Sequence, residues 1–296
     1  MINNLTNAID IQVFKGNVYK QPPKKAKKVI TLDLDETIGS FSHLHILWNG
    51  IMRFYNKTNL NRESKDTLFF SLFDLYPEFL RYDILHILNY LCKKQKEKTV
   101  QLYLYTNNKC GYNWVEMIVR YLQHKINVSQ MFEKTICAFK IGSRIVEPTR
   151  TTKDKTLSDF INCTKIGKNT QICFLDDSYH EEMIKDNIYY IQPKAYYHCL
   201  KISHILTRYF NSDVFVTFER NTSMCDDNYK AFMIDWFNFN DADKYILTYS
   251  DYNLEREKEI SRKILYYIKE FLYFIPRIKT SKRRTQIANF TRKKTQ

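Results

Sequence analysis

Short apolar runs that break off into acids or hydroxyls, with helical spacing between them, recur along this chain. Val29-Ile30-Thr31-Leu32 has the β-branched, apolar pattern of a buried strand, and it runs out into Asp33-Leu34-Asp35-Glu36-Thr37. Val100 to Tyr105 reads as a second strand, ending in Thr106-Asn107-Asn108. Gln171 to Leu175 is another, ending in Asp176-Asp177-Ser178, and shorter ones are expected near Thr135 to Phe139 and Ile188 to Ile191. Pro77 suits the first turn of a helix that continues through Leu80, Ile84, Ile87, Leu88 and Leu91. Trp114, Ile118 and Leu122 mark a second helix, and a short one covers Thr156 to Cys163. Asn49-Gly50, flanked by Ile46-Leu47-Trp48 and Ile51-Met52, predicts a two-residue hairpin. Strands alternating with helices predict an α/β fold, a Rossmann-like parallel sheet with helices on both faces and a small β-hairpin flap.

Composition removes the common alternatives. The 296 residues suffice to bury a core as one large domain or two small ones. The 6 glycines, at 16, 39, 50, 111, 142 and 167, are too dispersed for G-x-G-x-x-G or a P-loop. A phosphate site here must use other residues. No run of about 18 apolar residues occurs, and the most apolar late stretch, Ile264 to Ile275, is broken by Lys269 and Glu270. Met1 to Gly16 lacks a basic-then-apolar signal pattern, and the 7 cysteines without C-x-x-C spacing read as reduced thiols. These features predict no membrane partner and an intracellular location, cytoplasmic or nuclear. Lys and Arg total 46 against 32 Asp and Glu, a net charge of +14 that favours acidic partners. Much of it sits in Pro22 to Lys28 and in Arg277 to Gln296, the latter a disordered tail that could serve as a nuclear address.

The chemistry is expected where the strands end, because ligands of such sheets sit outside the carboxyl ends of the strands. Asp33 and Asp35, two apart in an extended segment, point to the same side. Their charges repel unless a cation or a shared proton compensates, and a hard divalent ion such as Mg²⁺ is suited to oxygen ligands; the plain alternative is a solvated turn. Thr106 and the N–H groups after it, at a helix start, suit a phosphate, or simply an N-cap. Lys153 or Lys155 could bring a positive charge to the same rim, or stand as a solvated loop lysine, and Asp176-Asp177 adds a second acid pair.

In this order the residues resemble the haloacid dehalogenase (HAD) superfamily of phosphohydrolases. Its marks are D-x-D-x-[TV], a Ser or Thr at a second strand exit, a Lys, and a closing acid pair. Leu32 to Ile38 is similar to the D-L-D-E-T-L-like string of the FCP/SCP-type (NLI-interacting factor-like) branch, although that branch usually closes in D-N rather than Asp176-Asp177. Asp159 to Asp177 also looks like members found in large DNA viruses. The resemblance implies that Asp33 is a nucleophile forming an aspartyl-phosphate and that Asp35 is the acid and then the base. It implies that Asp33, Asp35 (through its carbonyl) and Asp176 hold Mg²⁺, with Asp177 among the ligands or just behind them. Thr106 and the Asn107 amide would bind phosphate, and Lys155 or Lys153 would neutralise charge.

With that resemblance, residues 1–28 are a basic lead-in and 29–195 a HAD-like catalytic domain. Residues 196–276 form a helical C-terminal extension, and 277–296 are the tail. The intervals between marks leave no room for a large cap domain, so the substrate is expected to be a phosphorylated macromolecule. A phosphoprotein carrying phosphoserine or phosphothreonine is favoured, a polynucleotide with a terminal phosphate is the alternative, and a catalytically silent binding protein is a third reading. His43, His45 and His180 are loop or flap histidines that could touch substrate. Leu254 to Ile275 reads as a long helix packed on the main domain.

Overall fold

The computed structural model describes residues 10–17, 27–55, 62–222, 226–240 and 253–273. Its strands are β1 (Ile11–Lys15), β2 (Lys28–Leu32), β3 (Gln101–Tyr105), β4 (Lys134–Ile136), β5 (Lys140–Ile141), β6 (Arg144–Ile145), β7 (Gln171–Leu175) and β8 (Ile188–Pro193). The helices before the middle of the chain are α1 (Ser42–Tyr55), α2 (Arg62–Asp74), α3 (Ile84–Lys96) and α4 (Tyr112–Lys125). Then come α5 (Leu157–Thr164), α6 (Ile202–Phe210), α7 (Asp213–Thr222), α8 (Asp226–Phe239) and α9 (Leu254–Tyr273). Six strands form one sheet in the order β1-β8-β7-β2-β3-β4, a Rossmann-like α/β architecture.

Five of these strands are parallel, as the alternation of strands and helices predicts, and the sixth adds an antiparallel edge. β1 runs antiparallel to β8, with Val13 opposite Ile191. It lies inside the segment read as a basic lead-in, whose short Ile11-Gln12-Val13-Phe14 run carries a weak strand signal; pairing with β8 supplies the rest. Alternating residues of each strand feed two cores. Ile30, Leu32, Leu102, Leu104, Cys173 and Leu175 face a large cluster shared with α1, α3, α4, α6, α8 and α9. Val29, Tyr103, Tyr105, Ile172 and Phe174 face a smaller one closed by Phe160 and Cys163 of α5.

The hairpin expected at Asn49-Gly50 is instead the middle of helix α1. The flanking residues settle it: Leu44, Leu47, Trp48 and Ile51 fall on one helical face and are buried. Gly50 serves packing rather than a turn. A Cβ there would lie 2.8 Å from Trp236 Cδ1 and 2.9 Å from Met233 Sδ, so its absence lets α8 approach α1. The hairpin the chain does form is β5–β6, where Gly142 takes φ 60°. Helix α3 starts later than Pro77 suggests, because Pro77–Phe79 is a separate 3-10 turn.

α9 buries Ile260, Ile264, Ile268 and Phe271. Lys28 Nζ donates to the carbonyls of Phe271 (3.0 Å) and Leu272 (2.5 Å), satisfying acceptors at the helix end and favouring its negative dipole. The basic tail from Arg277 onward, and Pro22 to Ala26, lie outside the described residues. Among the described residues no helix is long and apolar enough to cross a membrane.

Candidate active site

Register delivers the site. Leu32 pairs with Leu104 on one side and Leu175 on the other, so neighbouring parallel strands end at one edge. The ladder runs one residue further: the N–H of Asp33 donates to Leu175 (2.9 Å), that of Thr106 to Ile136 (2.9 Å) and that of Asp176 to Ile191 (3.2 Å). Each expected functional residue at a strand exit is thus anchored by a sheet hydrogen bond before its loop begins.

Asp33, Asp176 and Asp177 present carboxylate oxygens within 4.8 Å of one another. Lys155 Nζ lies 2.5 Å from both Asp33 Oδ1 and Asp176 Oδ2, and the ammonium is buried. Burial alone would lower the Lys155 pKa, but Asp176 and Asp33 more than offset it and hold the ammonium above its ordinary range. Burial pushes Asp33 well above the usual carboxylate range, Lys155 opposes, and Asp176, Asp35 and Asp177 add to the rise. For Asp176 burial is outweighed by Lys155, which keeps its carboxyl below the usual range. Asp177 is raised by burial and by Asp176, while the Thr37 hydroxyl, donating to Asp177 Oδ1 at 2.8 Å, opposes. Three clustered carboxylates against one ammonium leave negative charge that a divalent cation would compensate, and the all-oxygen donor set suits a hard ion.

Asp35 stands apart from that cluster. Its Oδ2 accepts from Asn108 Nδ2 at 2.8 Å, and burial raises its pKa. Thr106 is fully buried, and its Oγ1 accepts from the Asn108 N–H (3.0 Å), leaving its own hydroxyl proton for another acceptor. Asn107 Oδ1 is held by Arg150 Nη1 (2.8 Å), and among the described residues its backbone N–H has no acceptor. Lys153 is exposed, and its carbonyl accepts from Arg150 Nη2. Of the two candidate lysines, Lys155 is the one whose ammonium reaches the acids.

Two arginines that sequence reasoning missed shape the rim. Arg81 holds Thr37 O (2.7 Å), Glu36 O (2.7 Å) and Lys194 O (2.8 Å), and pairs with Glu257 of α9 (3.4 Å). Glu36 sits at φ 57°, a left-handed conformation costly for a side chain with a Cβ, and Arg81 and the Tyr196 N–H both grip its carbonyl. Burial, with Asp35 and Asp177 adding, pushes the Glu36 carboxyl up to about 8. Arg150 is equally buried and clamps the loops on the other side. A buried arginine carries no local sequence signal, because most arginines are solvated.

The histidines divide. His43 lies on α1 in a buried pair with His198, 2.8 Å between Nδ1 and Nε2. The Leu200 N–H donates to His198 Nδ1, so His198 carries its proton on Nε2 and donates to His43. His45 points toward a cavity of about 570 Å³ beside the loop after β3, shared with Asn49, Cys110, Asn113 and Trp114. His180 Nε2 lies 3.4 Å from Asp176 Oδ1.

No family model and no curated protein matches the chain. Among solved structures it is similar to YfnB from Bacillus subtilis, described as a HAD-hydrolase and crystallised with magnesium. The identity is 14%, the TM-score 0.27, and the match covers 54% of this chain and 83% of that one.

Proposed function

We propose that this chain is a Mg²⁺-dependent phosphomonoester hydrolase working through an aspartyl-phosphate on Asp33. The observation that carries the reading is the seat of Lys155, 2.5 Å from both Asp33 and Asp176 at the exits of two adjacent parallel strands. A buried ammonium shared by two acids, at the same sheet edge as a hydroxyl whose proton is unclaimed and an N–H without an acceptor among the described residues, suits a phosphoryl group, whose transfer depends on positioning and charge stabilisation.

In the first step an Asp33 oxygen attacks phosphorus, the bond to the leaving oxygen breaks, and Asp35 gives that oxygen its proton. The burial that raises Asp35 favours the protonated form needed here, and Asn108 fixes the orientation of the carboxyl. In the second step Asp35 takes a proton from water, whose oxygen attacks phosphorus and releases phosphate and the free Asp33 carboxylate. Thr106 Oγ1 and the Asn107 N–H donate to the phosphoryl oxygens, while Lys155 offsets their charge. Mg²⁺, when bound by Asp33, Asp176 and Asp177, would supply further positive charge for the equatorial oxygens.

An exposed aromatic close to the acids in sequence supports a macromolecular substrate: Tyr179, two residues beyond the acid pair, is 56% exposed while its ring meets Phe14 edge-on at 5.9 Å. We favour phosphoserine or phosphothreonine in a protein segment. The test sets a phosphopeptide panel against 5′- and 3′-phosphorylated oligonucleotides, with Mg²⁺ and with chelator, for wild type and Asp33→Asn. Peptide turnover that needs Mg²⁺, and its near-complete loss in Asp33→Asn with an unchanged circular dichroism spectrum, is the expected result. Preference for oligonucleotides with a steep salt dependence would transfer the activity to nucleic acid. Substantial turnover in Asp33→Asn would remove Asp33 from the nucleophile role, and no turnover of any aryl phosphate would leave a silent binding protein.

A further inference from the structure

We infer that Arg150 is a positioning residue for the phosphoryl group, and that it fixes the Thr106–Asn107 turn and the Lys155 loop as one rigid unit. The inference rests on the phosphohydrolase reading above and adds to it a residue outside the acid, hydroxyl and lysine marks.

The guanidinium is a planar fork, and its two ends face different loops. Nη1 donates to Asn107 Oδ1 (2.8 Å) and to Cys137 O (2.8 Å), with Thr106 O at 3.5 Å. Nη2 donates to Lys153 O (3.1 Å) and Asp154 O (3.0 Å), the two carbonyls immediately before Lys155. One side chain therefore holds the phosphate-binding turn with one nitrogen and the approach to the ammonium with the other. The residue after Lys155 is pinned from the same place. Tyr105, whose ring lies 4.9 Å under the Arg150 guanidinium, accepts from the Thr156 N–H through its hydroxyl (3.2 Å). Thr156 then caps α5 by accepting from the Asp159 N–H (3.1 Å). Lys155 is thus bracketed by Arg150 on one side and by Tyr105 on the other, and Tyr105 directly precedes Thr106.

The charge matters as well as the shape. Arg150 is 1% exposed and, among the described residues, makes no ion pair; its acceptors are carbonyl and amide oxygens, and its Nε has no partner. Leaving a cation buried without a counter-charge is costly unless an anion arrives. The group expected beside Asn107 is a phosphoryl dianion, and it would be that anion. A lysine could not replace the fork, since an ammonium cannot hold two loops in one plane.

The test uses the full chain as wild type, Arg150→Lys and Arg150→Met. Three quantities are measured: binding of orthovanadate and inorganic phosphate, kcat and KM for an aryl phosphate, and the melting temperature. Arg150→Lys keeps a positive charge and a bulky stem, so it should melt within a few degrees of wild type while kcat/KM falls about 10-fold; Arg150→Met should lose about 100-fold, since a small misplacement of a bound group costs that much. Orthovanadate affinity should fall in step, and added guanidinium should restore part of the Arg150→Met loss. If wild type turns over and Asp33→Asn does not, yet Arg150→Lys and Arg150→Met bind orthovanadate and turn over as wild type, Arg150 is a structural residue only and the inference is overturned. An inactive wild type that binds neither anion overturns the phosphohydrolase reading itself, and this inference with it. Should Arg150→Met fail to fold, Arg150→Lys decides alone.

Discussion

Arg81 and Arg150 are both buried, both stack near a tyrosine and both hold backbone carbonyls of loops that leave the sheet, yet they differ in one respect. Arg81 is paired with Glu257, whereas Arg150 faces neutral oxygens. The paired arginine has its charge answered within the fold, so its work is geometric. It ties the strained turn at Glu36 and Thr37 to Lys194 and, through Glu257, to the C-terminal helix. The charge of Arg150 is answered by no carboxylate among the described residues. A loop crowded with carboxylates is held by a cation already engaged with Glu257, and the Thr106–Asn107 turn that we propose binds phosphate is held by a cation with no carboxylate partner among the described residues. A free cation beside Asp35, Asp177 and Glu36 would compete with the Mg²⁺ that we propose the acids hold.

The largest effect that tests this contrast is on Arg81. Arg81→Met strips hydrogen bonds from the backbone carbonyls of Glu36, Thr37 and Lys194 and leaves Glu257 half-buried without its partner, so stability should fall by about 3–5 kcal/mol, read from urea unfolding. A loss below 1 kcal/mol would mean that the turn holds itself and would end the contrast. Gly50→Ala sharpens it by separating stability from activity. The new methyl group must displace Trp236 or Met233, at a cost of about 2 kcal/mol, yet kcat/KM of the surviving folded protein should stay within twofold. If turnover collapses as well, stability loss alone can mimic a positioning role.

Next in size is a pH dependence that arises at a buried histidine rather than at either arginine. Burial, with His43 beside it, lowers the His198 pKa to about 3 from an ordinary value of 6.5. The folded protein therefore keeps His198 neutral while the unfolded chain takes up a proton below pH 6.5. Its contribution is complete above that pH and is lost as pH falls toward 3, by up to about 1.4 kcal/mol per pH unit. Urea midpoints at pH 7.5 and 5.0 measure this, and His198→Gln should flatten the difference. The smallest effect belongs to Glu257→Gln, about 1 kcal/mol, because the amide preserves shape and the ion pair at 3.4 Å is long. A larger loss there than in Arg81→Met would reverse the assignment of which partner needs the other.

Much of the site could be read along the chain because strand exits are local. Val29 to Leu32 followed by Asp33 and Asp35, Tyr105 followed by Thr106, and Leu175 followed by Asp176 each carry both the element and the polar residue at its exit within a few residues. The choice between Lys153 and Lys155 could not be made that way, since it turns on which side chain a loop directs inward. Asn49-Gly50 misled for a related reason. A dipeptide common in hairpins was outvoted by apolar residues at helical spacing, and the glycine was required by Trp236 and Met233 far away in sequence.

What the sequence determined by itself was the alternation of strand and helix and the order in which acids, hydroxyl and ammonium meet the rim. Both follow from short-range periodicity, which backbone geometry enforces residue by residue. Only the tertiary structure decided that β1 joins the sheet edge, that His43 meets His198, and that Arg81 and Arg150 go inside. Those outcomes depend on partners brought together by the whole fold. Burying an arginine or a histidine is favourable only where enough acceptors and neighbours converge at once, and no local stretch of chain can specify that convergence.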